Sequence, residues 1–360
     1  MGNKCLVIIT GLVIGVLALV LTSLGNPINM GICIACFLRD TVGGLGLHQA
    51  EVVQYLRPEI MGIILGAFLI SLKAGEFRTT GGSSPLTRFV LGFVMMIGML
   101  IFLGCPLRLA LRLGAGDLNA LWGFVGLFAG VAMGTVFLKN GFNLGKFQDQ
   151  PKTGGYIFPV LALLLLVFVY TKPAFIFFSA KGPGSLHASL FASLAAGLII
   201  GFLAQRSRFC LAGGLRDVIL FRNFHLMWGF LAIFAVVLVG NLATGKFNLG
   251  FAEQPIAHKE SLWNFLGMAL AGWSAVLLGG CPLRQLVLAA EGNSDSAITV
   301  LGLAAGAAFA HNFGLAASPK GVPLPGMWAV VLGFAVVLAI SFASTMALQM
   351  KERGQINAKS

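Results

Sequence analysis

The feature that most constrains this chain is the recurrence of apolar runs of roughly 17 to 22 residues, the helix length that crosses about 30 Å of hydrocarbon. Ten such runs lie near 4-24, 58-74, 86-104, 118-138, 156-171, 185-205, 226-244, 261-280, 295-313 and 327-349. Barrel strands would read as short alternating segments instead, so the spans are helical. Of the 360 residues, 58% are hydrophobic and only 10% are charged, with a mean hydropathy of +0.92 that no soluble globular domain approaches. The expected fold class is therefore all-α, a polytopic membrane protein of about ten transmembrane helices. The first run follows only Lys4 and has no small-residue cleavage site, which predicts a retained span.

Four intervening stretches, 27-48, 105-116, 206-224 and 281-292, are too short to span and too apolar for ordinary loops. Irregular backbone at membrane depth survives only when it is buried in protein or lines a cavity, so these predict short re-entrant helices. They also repeat. Gly104-Cys105-Pro106-Leu107-Arg108 returns as Gly280-Cys281-Pro282-Leu283-Arg284, and Cys33 to Asp40 aligns with Cys210 to Asp217. Gly116, Gly126 and Gly130 meet Gly292, Gly302 and Gly306 at the same offset of 176, predicting close-packed helix faces. The chain thus divides into a first membrane repeat, 1-171, and a second, 172-360. Each holds five spans, an odd number, so the repeats should have inverted topology.

Charge supports an orientation. With ten spans and a cytoplasmic N-terminus, 15 of the 24 basic residues fall on cytoplasmic segments, predicting a multi-pass inner (cytoplasmic) membrane protein, N-in and C-in. The formal net charge of +12 suits an anionic cargo and, in a membrane protein, implies no nucleic-acid partner.

The duplicated Gly-Cys-Pro-Leu-Arg run carries chemistry. Pro is tolerated at the first helical position, which puts Cys105 and Cys281 at N-caps, beside unpaired amides and the positive end of a helix dipole. Such a place attracts anions. Arg108 and Arg284 follow three residues later on the same face as their cysteines, with no acid within a helical turn, so an incoming anion is their expected partner. The plainer alternative is a Gly-Pro helix break with a filler cysteine and a snorkelling arginine, and the second copy argues against it.

Other residues are supporting candidates. Arg39-Asp40 and Arg216-Asp217 follow Cys33 and Cys210 at fixed spacing; adjacent residues on a helix point apart, so neither arginine need be quenched by its own aspartate. Cys36 faces Gly213 in the repeat and reads either as an extra thiol or as a resolving partner of Cys33. Asp117 and Asp295 are expected to cap the helices they precede, and Cys5 to be small apolar filler. The five histidines lack metal spacing, and one Cys-x-x-C makes no zinc site, so neither metal nor cofactor is expected.

Taken together, Gly31-Ile-Cys33-Ile-Ala-Cys36-Phe-Leu-Arg39-Asp40, Gly104-Cys-Pro-Leu-Arg108, Arg208-Phe-Cys210 through Leu215-Arg-Asp217 and Gly280-Cys-Pro-Leu-Arg284 resemble the YeeE/YedE family of sulfur-transport membrane proteins. Within it, the chain looks like the YedE-related selenium metabolism membrane proteins. The resemblance implies an inverted-repeat helical fold, uptake of a small sulfur compound such as thiosulfate passed between thiols, an association with selenium use, and a small cytoplasmic sulfur- or selenium-carrier protein as acceptor. The expected function is therefore a permease, not an enzyme, taking a small selenium- or sulfur-containing anion through the bilayer along Cys33, Cys105, Cys210 and Cys281, with Arg108 and Arg284 lowering the electrostatic cost. A thiosulfate transporter and a membrane thiol oxidoreductase or sulfurtransferase stay open as alternatives. No phosphate-binding Gly-rich motif is present.

Overall fold

The computed structural model describes the backbone of residues 2–357 and the side chains of residues 4–346. Its architecture is all-α, with α1 (Gly2–Ser23), α2 (Ile34–Gly44), α3 (Pro58–Lys73), α4 (Pro85–Phe102), α5 (Pro106–Gly114), α6 (Asn119–Lys139), α7 (Lys152–Thr171), α8 (Leu190–Ser207), α9 (Leu211–Phe221), α10 (Met227–Ala243), α11 (Ser261–Leu277), α12 (Pro282–Ala290), α13 (Ser294–Asn312) and α14 (Leu324–Asn357). Proline opens α3, α4, α5 and α12, where its missing N–H would have had no helical partner anyway.

Among the described residues, seven helical stretches are long and apolar enough to cross a membrane: Lys4–Ser23, Pro85–Gly114, Asn119–Lys139, Lys152–Thr171, Leu190–Phe221, Ser261–Ala290 and Leu324–Met346. This is a polytopic membrane protein. Three of the seven join a long helix to the short one behind it, α4 to α5, α8 to α9 and α11 to α12. Helices also cover the remaining apolar runs as α3, α10 and α13, of which α3 and α10 have 16 and 17 residues and α13 carries Asp295 in its first turn.

The breaks have a local cause. Leu103 takes a left-handed conformation (φ 64°) between α4 and α5, and Gly279 does so (φ 81°) between α11 and α12. A residue with positive φ cannot continue a right-handed helix, so each chain turns there and restarts at the following Cys-Pro.

Packing knits early helices to late ones. The most extensive interfaces are α6 on α11, α3 on α8, α4 on α13, α4 on α11 and α1 on α10. Glycine makes two of them close: a Cβ on Gly126 or Gly130 would strike the backbone oxygens of Phe265 and Ala269 in α11, and one on Gly302 or Gly306 those of Phe89 and Phe93 in α4. Small residues let helix backbones touch where lipid supplies no hydrophobic drive between helices.

At one end of the bundle, strand β1 (Thr80–Gly81) pairs antiparallel with β2 (Gln148–Asp149). Asp295 holds this loop rather than capping its own helix. Its carboxylate accepts from the Gly82 and Ser83 amides and the Ser83 hydroxyl, while Asn293 caps α13 by accepting from the Ser296 amide. The three donors on a neighbouring loop outcompete a cap that asparagine already fills. Cys5 likewise departs from expectation, lying exposed on α1 instead of packed.

Candidate functional site

The four short helices share one device. Cys33, Cys105, Cys210 and Cys281 each occupy the N-cap of the short helix that follows, α2, α5, α9 and α12. All four residues are buried. The sulfur of Cys33 accepts from the Cys36 amide at 3.3 Å, and that of Cys210 from the Gly213 amide at 3.2 Å, in the way a serine or aspartate caps a helix.

The thiols gather in two groups. Cys33 Sγ stands 2.8 Å from Cys36 Sγ and 3.9 Å from Cys105 Sγ, so residues 72 positions apart meet at facing helix starts. In the second group the Cys281 amide donates to Cys210 Sγ at 3.3 Å. The short helices also touch across the molecule, α2 on α12 and α5 on α9.

The two motif arginines differ. Arg108 is fully buried, and its guanidinium donates to the backbone carbonyls of Asn29 (3.0 Å), Leu103 and Ile256 (3.1 Å). Main-chain oxygens from three separate segments thus hold this guanidinium, partners that the motif spacing did not show. Cys36 Sγ lies 3.8 Å from Arg108 Nη1. Arg284, by contrast, borders a cavity of about 380 Å³ with Arg206, Arg208, Arg216, Cys210 and His225. Its Nη1 makes no hydrogen bond and lies 3.5 Å from Glu291 Oε1, an acid two turns further along that the motif spacing did not flag.

The Arg-Asp pairs also differ from expectation. Arg39 donates through Nε (2.9 Å) and Nη2 (2.6 Å) to Asp40 Oδ1, and Arg216 does the same to Asp217 (2.9 and 2.8 Å). Each arginine is quenched by its own aspartate, because the long side chain folds back and a charge kept out of water gains most from the nearest counter-ion. Asp40 further receives Arg57 Nε at 2.8 Å, and Arg57 in turn donates to the carbonyls of Pro183 and Leu186. This Arg39–Asp40–Arg57 group is buried throughout, whereas Arg216–Asp217 is partly exposed beside the cavity.

Several site residues escape a reading of the sequence. Arg112 is fully buried and bonded to Asp117 at 2.6 Å; Asp117 also accepts from the amide of Asn119, the first residue of α6, although the N-cap itself is Leu118. At the cavity mouth Arg208 bridges Glu76 (2.8 Å) and Glu291 (3.1 Å), and Arg206 reaches Glu76 at 3.1 Å. The Gln205 amide, followed by Arg208 and Arg206, holds the Glu76 carboxyl below the usual carboxylate range. Only the density of arginines around Cys210 hinted at this rim. Four arginines line the cavity and three carboxylates, Glu76, Glu291 and Asp217, pair with them, so one positive charge is left in excess beside a thiol. That combination suits a small oxyanion bearing a soft chalcogen atom.

Comparison with known proteins bears on the same region. Residues 206–359 match the profile of a family described as sulphur transport. Over 111 residues the chain is 29% identical to the thiosulfate transporter TsuA of Escherichia coli (strain K12), a match covering 30% of this chain and 30% of that protein. The profile match includes both Cys210 and Cys281 and every arginine of the cavity.

Proposed function

For a chain whose residues 206–359 match the sulphur-transport family profile, we propose membership of the YeeE/YedE family of sulfur-transport membrane proteins and the role of a permease of the inner membrane that takes a small sulfur- or selenium-containing anion into the cytoplasm and serves selenium metabolism. Its path runs past Cys33 and Cys105, then Cys210 and Cys281. The single observation carrying this reading is that four buried N-cap cysteines of short helices stand in two groups, one of them at an arginine-lined cavity.

On this reading residues 1–171 and 172–360 are two inverted repeats of five spans each, N-in and C-in. Support comes from the interfaces: α6 packs on α11 as its sequence counterpart α13 packs on α4, and α3 on α8 as α10 on α1. The Cys33 group then faces the outside and the Cys210 cavity the cytoplasm. Helix N-termini and S–H donors supply partial positive charge along the way, and the cavity arginines, Arg284 among them, exceed their carboxylate partners, which lowers the cost of an anion at membrane depth. Arg39–Asp40–Arg57 braces the outer end, and Arg216–Asp217 tunes the inner one. A small sulfur- or selenium-carrier protein receives the cargo at the cytoplasmic mouth.

The test is uptake of labelled thiosulfate and labelled selenite into proteoliposomes, beside Cys105→Ser and Cys281→Ser. Flux of one anion that both substitutions abolish supports transport and names the cargo. Label held covalently on cysteine without flux overturns it in favour of a membrane sulfurtransferase, the reading that the 2.8 Å Cys33–Cys36 contact favours.

A further inference from the structure

We propose that Cys33 and Cys36 form a dithiol redox site, closed to an intramolecular disulfide by a hydroperoxide, and that closure shuts the path at its first thiol. The shut-off rests on the transport reading above; the disulfide does not. The two sulfurs stand 2.8 Å apart, and both residues are fully buried. They occupy the N-cap and third positions of α2, one helical turn apart, which places their Cα atoms within the window a disulfide spans without backbone movement. Cys33 Sγ, the sulfur that would attack a peroxide, already receives the Cys36 amide at the start of α2, and Arg108 Nη1 lies 3.8 Å from Cys36 Sγ, so positive charge faces the sulfur that would then close the disulfide.

The pair is not a requirement of the cap. Cys210 caps α9 in the same way with Gly213 three residues on, so the second thiol belongs to one motif alone. The next sulfur, Cys105, is 3.9 Å from Cys33 and more than an ångström farther than Cys36. Cys36 is thus the favoured partner of an oxidised Cys33, and Cys105 the reserve.

The chemistry balances with hydrogen peroxide, a neutral oxidant of about the size of water and suited to a buried pair. The Cys33 thiol gives up its proton as its sulfur attacks one peroxide oxygen; an S–O bond forms, the O–O bond breaks, and the departing hydroxide takes that proton and leaves as water. Cys36 sulfur then attacks the sulfenic sulfur; the S–S bond forms, the S–O bond breaks, and the second hydroxide leaves with the Cys36 proton as another water. Two thiols lose two electrons and one peroxide becomes two waters. Closure draws the sulfurs to about 2.05 Å and removes both S–H donors from the path.

The experiment uses the full chain in proteoliposomes, with Cys5→Ala to remove the exposed thiol. After peroxide, the protein is denatured, alkylated with N-ethylmaleimide and digested, and the peptide covering residues 5–39 is weighed. The expected peptide lacks two hydrogens and carries no maleimide, and dithiothreitol restores two alkylation sites. Adding Cys36→Ser should instead leave a Cys33 sulfenic acid trapped by dimedone, or a Cys33–Cys105 crosslink. If both cysteines still take maleimide at a peroxide dose that oxidises Cys5 in the wild type, there is no such site. Labelled-anion uptake should fall to the level of empty vesicles on oxidation and recover with dithiothreitol; a disulfide formed with uptake unchanged overturns the shut-off. Reduced protein that moves no anion counts against transport, while the mass result stands by itself.

Discussion

Arg108 and Arg284 hold the same place in a repeated five-residue motif, yet Arg108 is closed over by three main-chain carbonyls while Arg284 keeps a guanidinium nitrogen without a hydrogen bond at the edge of a cavity. The two substitutions should therefore fail differently. Arg108→Ala strands three buried carbonyls, each at about 1–3 kcal/mol, and should leave little folded protein in a detergent thermostability assay. Arg284→Ala should fold with a nearly unchanged melting temperature and lose roughly tenfold or more in anion uptake, a change of about 1.4 kcal/mol. Equal thermal losses in both variants would contradict this division.

Asp40 should matter to stability far more than Asp217. Asp40→Asn leaves Arg39 and Arg57 buried together with one carboxylate removed between them, and breaking a buried pair costs about 3–5 kcal/mol. Asp217 pairs with a single arginine that water also reaches, so Asp217→Asn should cost about 1 kcal/mol or less. Melting temperatures of the two variants measure the contrast.

The Glu76 latch should be sensitive to acid. Its folded carboxyl titrates below the usual range, so its contribution is complete above the ordinary carboxylate value of about 4.3 and disappears as pH falls through the lowered folded value. Hydrogen exchange in residues 74–84 should quicken on acidification below that range. Glu76→Gln should show the quickened exchange already at neutral pH, with no further acid step from this group.

Helix contact through glycine offers a fourth check. Gly130→Leu and Gly306→Leu each push a side chain into the backbone of the opposing helix, Ala269 in one case and Phe93 in the other. Overpacking of this kind costs about 1–3 kcal/mol or more, and both variants should lower the melting temperature, whereas leucine at exposed Val125 should not. Size-exclusion profiles over a temperature ramp distinguish them.

The sequence was informative wherever the governing physics is local. Apolar run lengths marked helical regions, seven stretches of which, among the described residues, are long and apolar enough to cross a membrane, and the order Gly-Cys-Pro placed Cys105 and Cys281 at helix starts because cap and proline preferences act within one turn. The matched glycines foretold close helix faces. What stayed hidden depends on segments far apart in the chain: Arg108 is satisfied by carbonyls at 29 and 256, and Arg57 completes Asp40 from 17 residues away. Arg39 and Asp40 were read as diverging because helix geometry separates adjacent Cβ atoms; the flexible arginine stem overrides that where burial rewards pairing. The cavity's acids, Glu76 and Glu291, come from outside the motifs, so motif spacing carried no sign of them.

The glycine-lined faces impose an order on how this protein can be made. The Gly126–Gly130 ridge of α6 has its seat on α11, which the ribosome delivers well over a hundred residues later, and α4 must wait still longer for α13. Until then both helices stand in the bilayer with their flattest sides turned to lipid. Insertion and packing are thus separate events in the life of the chain, and a stall between residues 139 and 261 would strand an inserted intermediate with nothing to close against.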